Sequence, residues 1–409
     1  VNDADVVIVG AGAAGLSLAL RLSAPSAAPA ARPSVLLLDA PPGPLRPPPR
    51  TWCYWERGPG PYDSALTATW QRLRVHGPTG RATVGETAPL RYKMLRSDAF
   101  EAFAARRLAE RPAIRRREVA VETVRSVRGG AELHGRDADG APVAVRARWV
   151  FDSRPPGSLP AARTTLLQHF RGWFVRTSRP VFDPTVVELM DFRVPRPAHG
   201  LAFGYVLPTG PHEALVEYTE FSRTVLSREA YDAALRAYTE DVLRLGPLEV
   251  VATESGVIPM TDAPFARTTG ASVFRIGAAG GATRPSTGYT FAAVQRQTRA
   301  IAAALRAGRR PLPPPAHSAR SRAMDAVLLR ALDTGRVDGA EFFSRLFARV
   351  PTPRLLRFLD GGTGLYEDLA VGLHAPVRPM LRTAAELPRL PRRPLPAPAP
   401  APPPVEESP

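Results

Sequence analysis

The run Val6-Val7-Ile8-Val9-Gly10-Ala11-Gly12-Ala13-Ala14-Gly15-Leu16-Ser17-Leu18-Ala19-Leu20 constrains the fold more than any other stretch, because it spells a buried strand, a glycine turn and a helix in succession. Gly10 permits the tight turn, Gly12 lets the backbone approach a pyrophosphate, and Gly15 lets helix pack closely on strand. Ala13 opens the helix, whose N-terminus then faces the phosphates. A second apolar run, Val35-Leu36-Leu37-Leu38, ends in Asp39, and a carboxylate there can take the ribose hydroxyls of an adenosine. A lone glycine fingerprint would also suit an ordinary βαβ turn; the β-branched strand, alanine-rich helix and terminal acid favour a dinucleotide site.

A chain of 409 residues can bury a large core and is expected to form two or three joined domains. Its single cysteine, Cys53, excludes a disulfide framework and a CxxC metal site, so no metal is expected and a reducing cytoplasmic compartment is the default. There is neither an apolar run of about 18 residues nor a signal-like start, which predicts a soluble or peripheral protein. The net charge of +16 comes almost wholly from arginine, Lys93 being the sole lysine. Such a surface favours membrane headgroups or nucleic acid. No RNP, zinc-finger or helix-turn-helix pattern supports nucleic acid, which is not expected.

Along the chain, proline-dense stretches at 24–33 and 41–49 read as surface excursions. Between them and the next element lies Thr51-Trp52-Cys53-Tyr54-Trp55, where Trp52, Tyr54 and Trp55 either line a pocket or pack in a core. Arg96 is positioned to reach a phosphate of the dinucleotide, and Ser97 reads as a helix N-cap. Residues 115–150 alternate with turn signals, as in a β-meander. The nucleotide-binding part is therefore assigned to 1–154 and, after an interruption, to 268–310. The intervening 155–267 reads as antiparallel sheet with one helix starting near Ser227, forming a wall over the cofactor. The returning segment Gly277-Ala278-Ala279-Gly280 and the loop Pro285-Ser286-Thr287-Gly288-Tyr289 again suit close approach to a cofactor. Residues 318–385 read as helical, and 386–409 as a Pro/Ala-rich disordered tail.

Six further blocks share an order and spacing with one family: Gln168-His169-Phe170-Arg171-Gly172-Trp173, Leu189-Met190-Asp191-Phe192-Arg193, Leu215-Val216-Glu217-Tyr218-Thr219-Glu220-Phe221, Pro285-Ser286-Thr287-Gly288-Tyr289, Arg357-Phe358-Leu359-Asp360 and the Thr51 block above. With the glycine turn, they make the chain resemble the bacterial-type flavin-dependent lycopene cyclases up to about residue 382. The resemblance implies an α/β fold: a Rossmann-type FAD-binding domain of the flavin hydroxylase kind, an inserted antiparallel substrate domain and a helical C-terminal region. It also implies FAD in its reduced form, NAD(P)H as a transient reductant, lycopene as substrate, and a peripheral membrane location with no protein partner. Two positions depart from the family's pattern. Tyr218 stands where many members carry a second acid, leaving Glu217 as the candidate acid and Glu220 as its alternate; Ala278 replaces an aspartate that related flavoproteins often use to hold the ribityl chain.

The implied reaction protonates a terminal alkene, closes a ring through a tertiary cation and loses a proton. Glu217, in an apolar strand, is expected to stay protonated by desolvation and act as general acid. Trp52, Tyr54, Trp55, Trp173 and Tyr289 are the candidate substrate-lining aromatics, each worth about 0.5–2 kcal/mol to a nearby cation. Two other readings remain open: a flavin-dependent monooxygenase or prenyl-chain reductase acting on an isoprenoid, and a non-catalytic flavin or carotenoid carrier.

Overall fold

The computed structural model describes residues 2–24, 33–111, 113–197 and 200–395. The chain opens with β1 (Ala4–Val9), α1 (Ala13–Ser23) and β2 (Val35–Asp39), then runs through β3 (Thr51–Arg57), β4 (Ala68–Trp70), β5 (Arg72–His76), β6 (Ala82–Glu86) and β7 (Leu90–Arg96). After α2 (Ser97–Ala109) come β8 (Ile114–Glu118), β9 (Ala120–Val127), β10 (Gly130–Arg136) and β11 (Pro142–Asp152). The next block holds β12 (Thr165–Thr177), β13 (Val186–Asp191), β14 (Leu201–Pro208), β15 (Glu213–Ser222), α3 (Arg228–Ala237) and β16 (Leu248–Thr261). β17 (Val273–Arg275) leads to α4 (Phe291–Arg306), α5 (Ala319–Asp333), α6 (Gly339–Arg349), α7 (Thr352–Leu359), α8 (Leu365–Gly372) and α9 (Val377–Glu386).

The first sheet is ordered β8-β2-β1-β11-β10-β9, with β17 also on β11. β8, β2, β1, β11 and β17 pair in parallel, and the β9–β10–β11 meander completes the sheet antiparallel. Val6, Val7 and Ile8 are wholly buried, which is why β1 is β-branched on both faces. α1 packs on α4, where Gln295 Nε2 donates to Ser17 Oγ at 2.8 Å and Arg21 Nε donates to Thr298 Oγ1 at 3.0 Å. Leu16, Leu18 and Leu22 are buried on this side, each contributing about 1.5–3 kcal/mol.

The second sheet is ordered β16-β12-β15-β14-β13-β5-β6, and β3-β7-β4 form a third. β5 pairs in parallel with β13, from Arg72↔Val186 to His76↔Asp191, so residues 72–86 belong to the sheet formed mainly by 165–261 and not to the nucleotide-binding part assigned from sequence. A separation of over a hundred residues hides such a pairing from local pattern. α3 begins beside Ser227 as expected, and the Ser227 hydroxyl caps it, accepting from the Ala230 amide at 3.3 Å. Ser97 does not cap α2: it is the first helical residue, and its Oγ accepts from the Arg50 amide at 3.0 Å.

Residues expected to begin the extended tail remain in the fold as far as the description runs. Glu386 closes α9 and Arg393 bridges to Ala162. Residues 396–409 and most of the proline-dense stretch at 24–33 lie outside the described residues. Among the described residues no helix is long and apolar enough to cross a membrane.

Candidate functional site

The glycine turn emerges from β1 toward the N-terminus of α1. Gly10 has φ +92°, and a Cβ on Gly15 would fall 1.9 Å from the Gly10 carbonyl oxygen, so close helix–strand packing requires glycine there. A Cβ on Gly12 would meet nothing within 4 Å: the backbone at the start of the helix, beside Ala13, is open for a ligand. Asp39, at the end of β2, is turned back on this turn; its Oδ1 accepts from the Ala11 amide at 3.1 Å and its Oδ2 pairs with Arg116 at 2.9 Å. Opposite, Gly277 has φ +65° with its Cα facing Ala14, and a Cβ on Gly280 would fall 2.4 Å from the Arg275 carbonyl oxygen.

The loop following these glycines touches the second sheet. A Cβ on Gly288 (φ +72°) would lie 2.3 Å from Gln168 Oε1. Gln168 Oε1, the Thr287 hydroxyl and the Tyr54 hydroxyl are buried without hydrogen-bond partners. The orphaned Thr287 hydroxyl on this loop and Gln168 Oε1 on the strand it touches are what a polar ring system would satisfy, and the open N-terminus of α1 is what a pyrophosphate would satisfy. Pro285 holds the loop beside Ser286, whose hydroxyl donates to Asp325 Oδ1 at 2.7 Å. Ser286 is thus engaged by the chain itself. Asp325 is buried against Arg284, Nε to Oδ2 2.8 Å, and burial raises its pKa while Arg284 opposes the shift.

On the facing sheet, registry sets four positions in one row across β14, β15, β12 and β16: Tyr205↔Glu217, Glu217↔Gly172 and Gly172↔Glu254. Directly opposed residues share a face, so the two carboxyl groups flank the glycine on one side of the sheet. A Cβ on Gly172 would come within 3.6 Å of Glu217 Cβ and 3.5 Å of Glu254 Cγ. Both acids are buried. Burial first, and Glu254 second, push Glu217 up to about 8, against a hydrogen bond from Thr219 Oγ1 to its Oε1 at 2.6 Å. Burial also raises Glu254, which is held back toward ionisation by Thr51 Oγ1, donating to its Oε2 at 2.8 Å, and by Arg96. Like charges on either side of Gly172, two strands apart, cannot both ionise freely in a dry setting.

An aromatic cluster closes over the row. The Tyr92 hydroxyl lies 2.6 Å from that of Tyr205 and 2.9 Å from that of Tyr289, and the Tyr289 ring meets Trp55 edge-on at 4.6 Å. Burial raises all three phenols, so they remain neutral donors. The Cys53 thiol, beside Tyr92 and Tyr205, is pushed up to about 12 by burial and is not a nucleophile.

The structure therefore divides the residues proposed from sequence. Glu217, Trp55 and Tyr289 converge. Glu220 does not: three positions from Glu217, it lies on the opposite face of β15, accepting from the Tyr218 hydroxyl at 2.8 Å and facing His169 at 3.7 Å. Trp173 also faces away, its indole N–H donating to Asp232 of α3 at 3.1 Å. Trp52 and Tyr54 alternate with Trp55 on β3 and pack on Phe291 at 5.6 and 4.6 Å, in the core of the nucleotide-binding part. Arg96, expected on a phosphate, has its guanidinium 4.7 Å from the Phe174 ring centre and 4.0 Å from Glu254. Glu254, Thr51, Tyr92, Tyr205 and the gap at Gly172 escaped sequence reasoning. Strand parity could have separated Glu217 from Glu220 and Trp55 from Tyr54; only the long-range register brings in Glu254.

The family model described as "Lycopene cyclase protein" matches residues 5–385. No curated protein matches the chain. Among solved structures, it is similar to a geranylgeranyl bacteriochlorophyll reductase-like protein from Thermoplasma acidophilum, with TM-score 0.60 and 14% identity over 94% of this chain and 99% of that one. It is also similar to p-nitrophenol 4-monooxygenase from Pseudomonas putida DLL-E4, with TM-score 0.56 and 16% identity over 95% and 98%. A flavoprotein/dehydrogenase from Cytophaga hutchinsonii gives TM-score 0.60 and 12% identity over 93% and 98%. At these identities the likeness establishes the fold, the Rossmann-type α/β architecture of flavin-dependent hydroxylases and reductases.

Proposed function

The chain belongs to the lycopene cyclase family, and we propose that it closes β-ionone rings at the ends of linear C40 lycopene, giving γ-carotene and β-carotene, with FAD kept reduced by NAD(P)H. The observation that carries this reading is the row Glu217–Gly172–Glu254, two buried acids with a gap between them under an aromatic cover. A carboxyl group held neutral at physiological pH is a proton donor; reduction of an alkene would use one together with a hydride, whereas isomerisation uses the proton alone.

Thr219 donates to Oε1 of Glu217, leaving Oε2 to carry the proton. With its pKa pushed up to about 8, Glu217 holds that proton at neutral pH. Glu217 delivers it to the terminal double bond, the adjacent double bond attacks the resulting tertiary cation, and the ring cation returns a proton to the carboxylate pair. Burial raises Glu254 too, but Thr51 and Arg96 oppose that rise, which suits Glu254 to receive the returning proton. No atom or electron is gained overall. Trp55, Tyr289 and Tyr92 exclude water and offer ring faces, each worth about 0.5–2 kcal/mol to a desolvated cation. Glycines 10, 12, 15, 277, 280 and 288, with Asp39 and Thr287, would hold FAD, which when bound and reduced supplies a negative charge in a low-dielectric site.

Expression in a lycopene-accumulating host tests the proposal. Appearance of cyclic carotenoids, abolished by Glu217→Gln, supports it; unchanged lycopene, or a hydroxylated or hydrogenated product, refutes it.

A further inference from the structure

Two short helices near the C-terminus break the burial pattern of the molecule. Leu365, Tyr366, Leu369 and Leu373 on and just after α8, and Val377 and Leu381 on α9, are all exposed, Tyr366 by 85% and Leu373 by 77%. Leu365, Leu369 and Leu373 recur every fourth residue and share one face, as do Val377 and Leu381. Rows of exposed apolar side chains on two successive helices of a folded chain mark something that covers them.

The charges around it indicate what. Each acid of this segment is committed to an arginine: Glu367 to Arg357 at 2.7 Å, Asp368 to Arg320 at 2.5 Å, and Glu386 to Arg330 at 2.6 Å. Arg378 and Arg382, one turn apart on α9 beside Val377 and Leu381, are exposed and have no acidic partner among the described residues. An apolar face edged by uncompensated cations complements anionic headgroups over acyl chains. A second copy docked through the same face would bring four arginines together without an acid between them. At 8 and 10 residues, α8 and α9 reach about 12 and 15 Å, far short of the roughly 30 Å hydrocarbon core, so they can only lie in the interface.

We propose that the α8–α9 face seats this protein in one leaflet of an anionic bilayer. Its inner side supports a role in substrate delivery: Ala375 and Met380 pack, as Tyr205 and Tyr289 do, against the apolar cluster that contains Trp55 and Tyr92. That role rests on the proposed cyclase function. The docking itself does not.

The test is flotation of the full chain with vesicles of phosphatidylcholine alone and of phosphatidylcholine mixed with phosphatidylglycerol, alongside ring formation from substrate in detergent micelles. Wild type is expected to float with the anionic vesicles. Leu369→Glu/Leu373→Glu is expected to lose that binding at least tenfold while keeping its melting temperature and its activity in micelles. Arg378→Gln/Arg382→Gln is expected to weaken binding by about fivefold per arginine, and less at high salt. The proposal is overturned if wild type binds neither vesicle, if the leucine variant floats as wild type does, if that variant dissociates a lipid-free dimer, or if binding requires removal of residues 396–409. Normal flotation without ring formation in any medium would refute the cyclase reading and leave the docking surface standing.

Discussion

Replacing Glu217 by Gln preserves the side-chain shape and the hydrogen bond from Thr219 while removing the proton that titrates. In the folded chain burial and Glu254 raise Glu217 from 4.5 to about 8. The unfolded chain releases that proton near the lower value. Because the folded pKa is the higher, the contribution to stability is fully present below about pH 4.5 and is lost as pH rises through about 8. Integrating between the two values, the wild-type chain forfeits about 1 kcal/mol by pH 5.5 and about 4 kcal/mol by pH 8, whereas the Gln variant forfeits none at this site. Urea unfolding followed by tryptophan fluorescence should therefore show the variant gaining about 3 kcal/mol on wild type between pH 5.5 and pH 8. Ring formation in the same variant should fall by at least about a hundredfold. Unfolding free energies that change in parallel over this range would mean that Glu217 titrates as an ordinary carboxylate, and the acid role would fall with that result.

Gly12→Val is expected to fold, since its Cβ meets nothing within 4 Å, yet to elute from gel filtration without yellow colour; a retained flavin would contradict the assignment of the turn. Glu254→Gln removes the neighbouring carboxyl that raises Glu217, so the alkaline limb of the activity profile should move below about pH 8, while Glu220→Gln, altered on the far face of β15, should leave that profile in place. Gly172→Ala sets a methyl 2.8 Å from Leu215 Cδ1 and between the acids; ring formation should fall about ten- to a hundredfold with flavin still bound, as measured by turnover and absorbance.

The parts legible in the sequence are those whose signal is local. β1, its turn and α1 declare themselves through β-branched residues, glycine spacing and an alanine-rich helix, and β12 to β15 through apolar runs of strand length. β5 and β6 escape because their place is decided by pairing with β13, far along the chain. β16 escapes because it is an edge strand with exposed Glu249, Val250 and Val251, so it shows no clean alternation. Glu217 could be picked out as an acid in apolar company. Glu254 could not, since its burial follows from lying opposite Gly172, itself opposite Glu217. Trp173 and Glu220 illustrate the converse: each stands in a conspicuous block, and each faces α3 or the space behind the sheet because strand neighbours alternate.

The central claim, that a neutral buried acid drives an isomerisation on a flavin scaffold, is tested most directly by incubating the purified holoprotein anaerobically with photoreduced flavin and lycopene and weighing the product. The expected result is cyclic carotenoid of the same mass as the substrate, with the flavin still reduced at the end. A product two hydrogens heavier than the substrate, with the flavin oxidised to match, or lycopene left unchanged, would contradict that reading.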